Sequence, residues 1–259
     1  MKTQYKYDLR PSPQHILDFG FERLVRETQI DPATPLPAIT NNRAICPPVL
    51  DQEAEGSCTA NAVSGAIQFN EIVKGIPLWL PSRQFEYYNS RSIDGDTMTD
   101  SGSTLRDSIQ ALAQYGICPE DEYPYRDSDG FFNALTKPPQ QCYTDALPNA
   151  IRSYYALHTL TDMKTCLANK GNFVFGFTVY ESFEDKSWQT SGVMPMPIPA
   201  YERKMGGHAV RAVDFDDSKQ AFLVANSWGV KFALQGYWWM SYEIMLKYGF
   251  DWWTFTNRI

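Results

Sequence analysis

The sequence predicts an α+β protein of two lobes packed side by side, and three observations carry that expectation. Helical periodicity fills the stretch from about residue 57 to 115, short apolar or aromatic runs of strand type dominate from residue 173 onward, and a proline-rich crossing from Pro119 to Pro148 separates the two. With 43% of its 259 residues hydrophobic and 20% charged, the chain can bury a sizeable core, which excludes an intrinsically disordered protein.

Residues 1–35 read as a Pro-rich extension with one helix, His15 to Thr28, whose apolar positions are Ile16, Phe19, Leu24 and Val25. A longer helix is expected from Ser57 to Lys74, where Ala62, Ala66, Phe69 and Val73 recur at helical spacing and Gly75 is placed to stop it. Ala60, Ala62, Ser64, Gly65 and Ala66 keep its first half small-sided, which suits a buried central helix. Helices from Pro81 to Arg91 and from Thr104 to Tyr115 follow, the second opened by a Thr104-x-x-Asp107 cap and closed by Gly116. The runs Phe173 to Tyr180, His208 to Val213, Phe222 to Asn226 and Tyr237 to Met240 read as strands, preceded by a short helix from Thr161 to Lys170.

The formal net charge of −7, with no Lys/Arg cluster, gives no electrostatic footprint for nucleic acid or anionic lipid. No apolar run approaches the length of a membrane span, and the amino terminus lacks the apolar core of a secretory signal. An intracellular protein is therefore expected, cytoplasmic or, for a viral chain, packaged in a virion. Five cysteines are an odd number, so at least one is free; Cys46, Cys118, Cys142 and Cys166 contain no C-x-x-C pair, and neither a structural zinc site nor another metal is expected. Those four are expected to be mostly thiols, with two bridges among them left open.

Gly56-Ser57-Cys58 lies directly before the central helix, so Ser57 can cap it and Cys58 falls in its first turn, where unpaired N–H groups and the helix dipole favour a thiolate. A base beside the thiol makes it a controlled nucleophile, and His208, which opens a strand, is the favoured candidate. A hairpin turn centred near Asp217 sets Asn226 opposite His208, as an orienter that accepts a hydrogen bond from the imidazole. Gln52, six residues before the thiol, can join the Cys58 backbone N–H in stabilising an oxyanion. Each residue taken singly also has a bland reading, as a packing thiol, a strand-end turn residue or an ordinary loop amide.

Together, Gln52-x5-Cys58, Gly56-Ser57-Cys58, Gly206-Gly207-His208-Ala209-Val210 and Asn226-Ser227-Trp228-Gly229 resemble the papain family of cysteine peptidases in order and spacing. The resemblance runs from about residue 36 to the carboxyl end and is nearest to a shorter microbial branch, through Cys46-Pro47-Pro48-Val49 and Gly56-Ser57-Cys58-Thr59-Ala60. It implies a papain-like two-lobe fold in residues 36–259, with a helical lobe over about 50–145 and an antiparallel β-barrel-like lobe over about 146–259 plus 36–49. It also implies that Cys58 is the nucleophile, His208 the general base and acid, Asn226 the orienter and Gln52 the oxyanion donor. Trp228 would shield the His208 to Asn226 bond, and Gly102, Ser103, Gly207 and Trp228 would meet substrate.

The implied activity is hydrolysis of peptide bonds in a polypeptide substrate, with no cofactor. An isopeptidase, amidase or acyl transferase using the same residues is the nearest rival, and a catalytically silent binding or structural protein the second. Glu53, Glu55 and Thr59 depart from the family's usual glycine, cysteine and aromatic, and without a cysteine at position 55 the disulfide that pins this loop in plant and lysosomal members cannot form. Phe232 and Ala233 likewise replace the usual Trp and Gly. The first 35 or so residues are expected either to lie extended in the cleft in cis, as a short zymogen segment, or to strap the back of the strand lobe.

Overall fold

The computed structural model describes residues 5–13 and 18–257. Helix α1 (Phe21–Glu27) is shorter than the expected helix, whose opening residues His15 and Ile16 lie outside the described residues. The helical half follows: α2 (Cys58–Val73), α3 (Arg83–Asp94), α4 (Leu105–Tyr115) and α5 (Gln140–Ala146). From there strands dominate, in the order β1 (Ile151–Ala156), α6 (Leu160–Ala168), β2 (Phe173–Tyr180), α7 (Glu181–Glu184), β3 (Lys204–Asp216), β4 (Ala221–Ala225), β5 (Tyr237–Ser241), α8 (Tyr242–Tyr248) and β6 (Gly249–Asn257). The sequence reading missed α5, α8, β1 and β6, because Pro138 and Pro139 masked the start of α5 and because β6 mixes charge with aromatics without clean alternation.

The six strands form one antiparallel sheet in the order β1-β6-β2-β3-β4-β5, open between its edge strands. Alternation along β2 explains its unbroken apolar run. Phe173, Phe175, Phe177 and Val179 enter a core on one face, while Val174 enters a second core shared with α2 on the other. Each fully buried ring contributes about 2–3 kcal/mol of burial energy.

Helix α2 is buried along nearly its whole length, as its small residues predicted, between α3 and α4 on one side and the sheet on the other. At Gly65 an added Cβ would stand 3.4 Å from the Arg211 guanidinium, in ordinary contact, so α2 packs directly on the β3 side chain there. This arrangement seats the amino-terminal end of α2 at the junction of helices and sheet.

The chain ahead of residue 50 divides into two parts. Residues 19–45 strap the strand side: Ala156 donates its N–H to Phe19, Thr40 donates to Phe215, and the buried Asp214 carboxylate accepts the backbone N–H groups of Asn42 and Arg43. Residues 5–10 instead run between the helical half and β3.

Candidate active site

Cys58 is the first residue of α2, as the sequence indicated, but Ser57 does not cap the helix with its side chain. Its hydroxyl meets Tyr125 Oη at 2.5 Å and accepts from Asn61 Nδ2 at 3.2 Å instead. Cys58 and Ala209 lie in one apolar cluster, which brings the nucleophile candidate beside the residue following His208.

The Nε2–H of His208 donates to Asn226 Oδ1 across 2.8 Å, so the two residues meet as expected. The register differs from the expected one. Arg211 pairs with Ala225 and Ala212 with Val224, and a bulge follows before Asp214 pairs with Leu223. Continued, this register would set Asn226 opposite Val210, so the side chains meet along the diagonal of one sheet face, within reach of an imidazole and an amide. Because Asn226 Oδ1 accepts the Nε2 proton, Nδ1 is the unprotonated nitrogen, and it is buried without a hydrogen-bond partner among the described residues. Trp228 stacks on the imidazole at 4.9 Å and 27°, and Phe177 meets it edge-on at 5.9 Å.

Gln52 is fully buried in the loop before α2. Its Nε2 donates to the Glu55 carbonyl at 3.0 Å and its Oε1 accepts from Ser227 Oγ at 2.6 Å, which leaves the second amide hydrogen for another acceptor. The loop is pinned without a disulfide: Gln84 donates to the Glu55 carboxylate at 2.7 Å, Gly56 N–H to Asp100 at 3.0 Å, and Tyr125 to the Gln52 carbonyl at 2.9 Å. Burial raises the Glu55 carboxyl to about 7.

Residues 5–10 touch all four of the residues read as substrate contacts. Tyr5 stacks on Trp228; Gly207 donates to the Tyr7 carbonyl at 3.1 Å; Leu9 donates to the Gly207 carbonyl at 3.2 Å; and Arg10 donates to the Ser103 carbonyl at 3.2 Å. At Gly102, with φ of 71°, an added Cβ would strike the Asp8 carbonyl oxygen at 2.2 Å, so no side chain fits. Leu9 joins the apolar cluster containing Cys58 and Ala209. Cys58 is 1% exposed and His208 0%.

That cover reverses the electrostatics expected from the helix start. Burial pushes the Cys58 thiol up to about 12, with the Asp8 carboxylate adding to the effect, and burial lowers His208 to about 4 against the Asn226 hydrogen bond. In this state thiol and imidazole are both neutral.

Residues 36–251 match the sequence model of a family described as papain family cysteine protease. The chain belongs to the papain family of cysteine proteases. Xylellain, a cysteine protease from Xylella fastidiosa, is 35% identical, with a TM-score of 0.85 over 100% of this chain and 99% of that one. An uncharacterised peptidase C1-like protein of Acanthamoeba polyphaga mimivirus is 36% identical over 204 residues, 75% of this chain and 64% of its own length. The procathepsin B of Trypanosoma congolense shares the fold at 20% identity, with a TM-score of 0.68 over 97% of this chain and 83% of that one. This papain-family protease therefore sides with a bacterial and a viral relative, as its short motifs indicated, while spanning 64% and 63% of two curated relatives. Among its described residues no helix is long and apolar enough to cross a membrane.

Ser227 and Tyr125 were given no role from the sequence, and for the amino-terminal segment the sequence left the cleft and the back of the strand lobe both open without singling out residues 5–10. For the segment a signal existed: Tyr5, Tyr7 and Leu9 alternate with Lys6, Asp8 and Arg10, the period-two pattern of a half-buried extended chain.

Proposed function

We propose that the protein hydrolyses peptide bonds through a thiol acyl-enzyme in which Cys58 attacks, His208 takes and returns the proton, Asn226 orients His208, and Gln52 with the Cys58 N–H stabilises the oxyanion. The observation that carries this reading is the His208 to Asn226 hydrogen bond, which leaves Nδ1 unprotonated on the residue preceding Ala209, a member of the apolar cluster that holds Cys58. Once His208 holds the thiol proton, the imidazolium is hydrogen-bonded to Asn226 and sheltered by Trp228. The acyl group leaves when water, activated by the same imidazole, attacks the thioester.

Residues 5–10 act as a cover on this cleft. For the leaving amine to receive its proton from His208, a productive peptide must place its acyl half toward Ser103 and its leaving half toward Trp228. The segment runs the other way, from Tyr5 at Trp228 to Arg10 at Ser103, so it fills the groove with its peptide bonds reversed. The strap formed by residues 19–45 serves stability, so the two roles expected for the extension fall to different stretches of it.

A mechanism-based peptidyl epoxide tests the chemistry on the full chain. One adduct on Cys58, together with casein cleavage lost in Cys58→Ala, supports the reading; casein cleavage that survives in Cys58→Ala overturns it. Activity on small amides or isopeptide conjugates without any on casein would favour the amidase or isopeptidase rival.

A further inference from the structure

Cys118 and Cys142 lie 24 positions apart in the sequence, yet their sulfurs and a carboxylate oxygen of Glu122 all lie within 4.8 Å of one another. Both thiols are buried, at 0% and 3% exposure, and the Cys142 thiol faces the Glu122 carbonyl at 3.7 Å. Cys118 follows α4 and Cys142 sits in α5, so the pair closes the ends of the irregular stretch 119–141.

That stretch buttresses the loop before the nucleophile. Its Tyr125 holds the Gln52 carbonyl and the Ser57 hydroxyl, its Arg126 is ion-paired with Glu53, and its Tyr123 carbonyl accepts from Ser82, the cap of α3. Ser82 in turn donates its N–H to the Cys118 carbonyl at 2.8 Å. Fixing the two ends of the stretch therefore fixes the platform behind Gln52.

We propose that Cys118 and Cys142 form a latent disulfide that staples the 119–141 stretch when the protein meets a small-molecule disulfide oxidant. In the step, one S–S bond forms and two S–H bonds break. Two protons and two electrons pass to oxidised glutathione, which leaves as two reduced glutathione molecules. A soft metal is the weaker reading, because Cys118, Cys142 and Glu122 supply three donors where a closed zinc site takes four. The sulfurs already lie within 4.8 Å of each other, and the staple removes loop-closure entropy from the unfolded chain.

The test equilibrates the full-length protein in oxidised glutathione, alkylates the remaining thiols and maps the peptides by mass. The expected result is a Cys118–Cys142 linkage, two hydrogens lighter than the dithiol, with Tm raised by roughly 5–10 °C and restored by dithiothreitol. Cys142→Ser should lose both the linkage and the oxidant-dependent rise, and comparing oxidised with reduced wild type decides the matter if that variant folds poorly. Five alkylatable thiols after oxidation, a linkage to a different cysteine, or one equivalent of zinc co-purifying on these thiols overturns the proposal.

Discussion

The ring of Tyr5 lies flat on the indole of Trp228, with centroids 4.1 Å apart and planes 4° from parallel. The same indole stacks on His208, so a single side chain links the amino-terminal segment to the proposed general base. Backbone bonds to Gly207 and Ser103 add the segment to the cleft walls as an extended chain, in the manner of strand addition. The segment therefore covers the surfaces that the proposed catalysis needs, and weakening the cover should release them.

Leu9→Ala removes roughly 2 kcal/mol of apolar burial from the segment, which corresponds to about a 30-fold rise in the uncovered fraction. Iodoacetamide labelling of Cys58 and hydrolysis of a fluorogenic peptide should rise together. Lys6→Ala, which breaks a half-exposed ion pair with Asp100, should raise both by less than about 5-fold. Unchanged rates in Leu9→Ala would show that residues 5–10 do not gate the cleft.

The pH dependence of labelling reports the same cover. With the segment seated, the Cys58 thiol sits at about 12, so the wild-type labelling rate should climb steadily between pH 6 and 9 without a plateau. In Leu9→Ala, Cys58 regains water and the helix dipole, and the rise should begin at lower pH. Superimposable profiles would count against burial as the cause.

Asn226→Ala should lower the turnover number by about 10- to 100-fold, since it frees the imidazole to turn, whereas His208→Ala should lower it by about 10³-fold or more. Gln52→Ala should cost about 10²- to 10³-fold. Ser227→Ala, which removes the donor to Gln52 Oε1, should cost less than Gln52→Ala itself. Steady-state kinetics on one peptide substrate ranks all four.

Glu86 in α3 is fully buried, and neither carboxylate oxygen has a hydrogen-bond partner among the described residues. Burial raises it to about 8, well above its ordinary 4.5. A carboxyl raised on folding contributes stability fully below the unfolded value, and that contribution drains away as pH climbs toward 8. Glu86→Gln, which cannot ionise, should therefore gain Tm relative to wild type steadily from about pH 4.5 to 8, by an amount equivalent to a few kcal/mol. A difference independent of pH would show that Glu86 does not ionise across this range.

Much of the site was legible because its chemistry is written locally. Gly56-Ser57-Cys58 before a small-sided helix, His208 at a strand and Asn226 beyond the next turn are short-range patterns, and α2, β2 and the close of α4 at Gly116 fall where periodicity and turn residues put them. The hairpin register was misjudged by two residues because the turn is centred between Ser218 and Lys219 rather than near Asp217, and the bulge near Val213 takes back only part of that offset. The contact between His208 and Asn226 survived the error since a shift of two keeps a side chain on the same sheet face.

The sequence by itself determined the two-part α+β architecture, the family and the residue types of the site, because helix and strand periods and a motif's spacing are properties of neighbouring residues. Tertiary structure alone decided the state of that chemistry. Tyr5, Tyr7 and Leu9 lie about 200 residues from Gly207 and Trp228, and only their meeting buries Cys58 and His208 and turns a thiol favoured as an anion into one held neutral. The helix dipole acts over one turn whatever the rest of the chain does, whereas desolvation depends on which distant segment excludes water, and that information exists only in the folded chain.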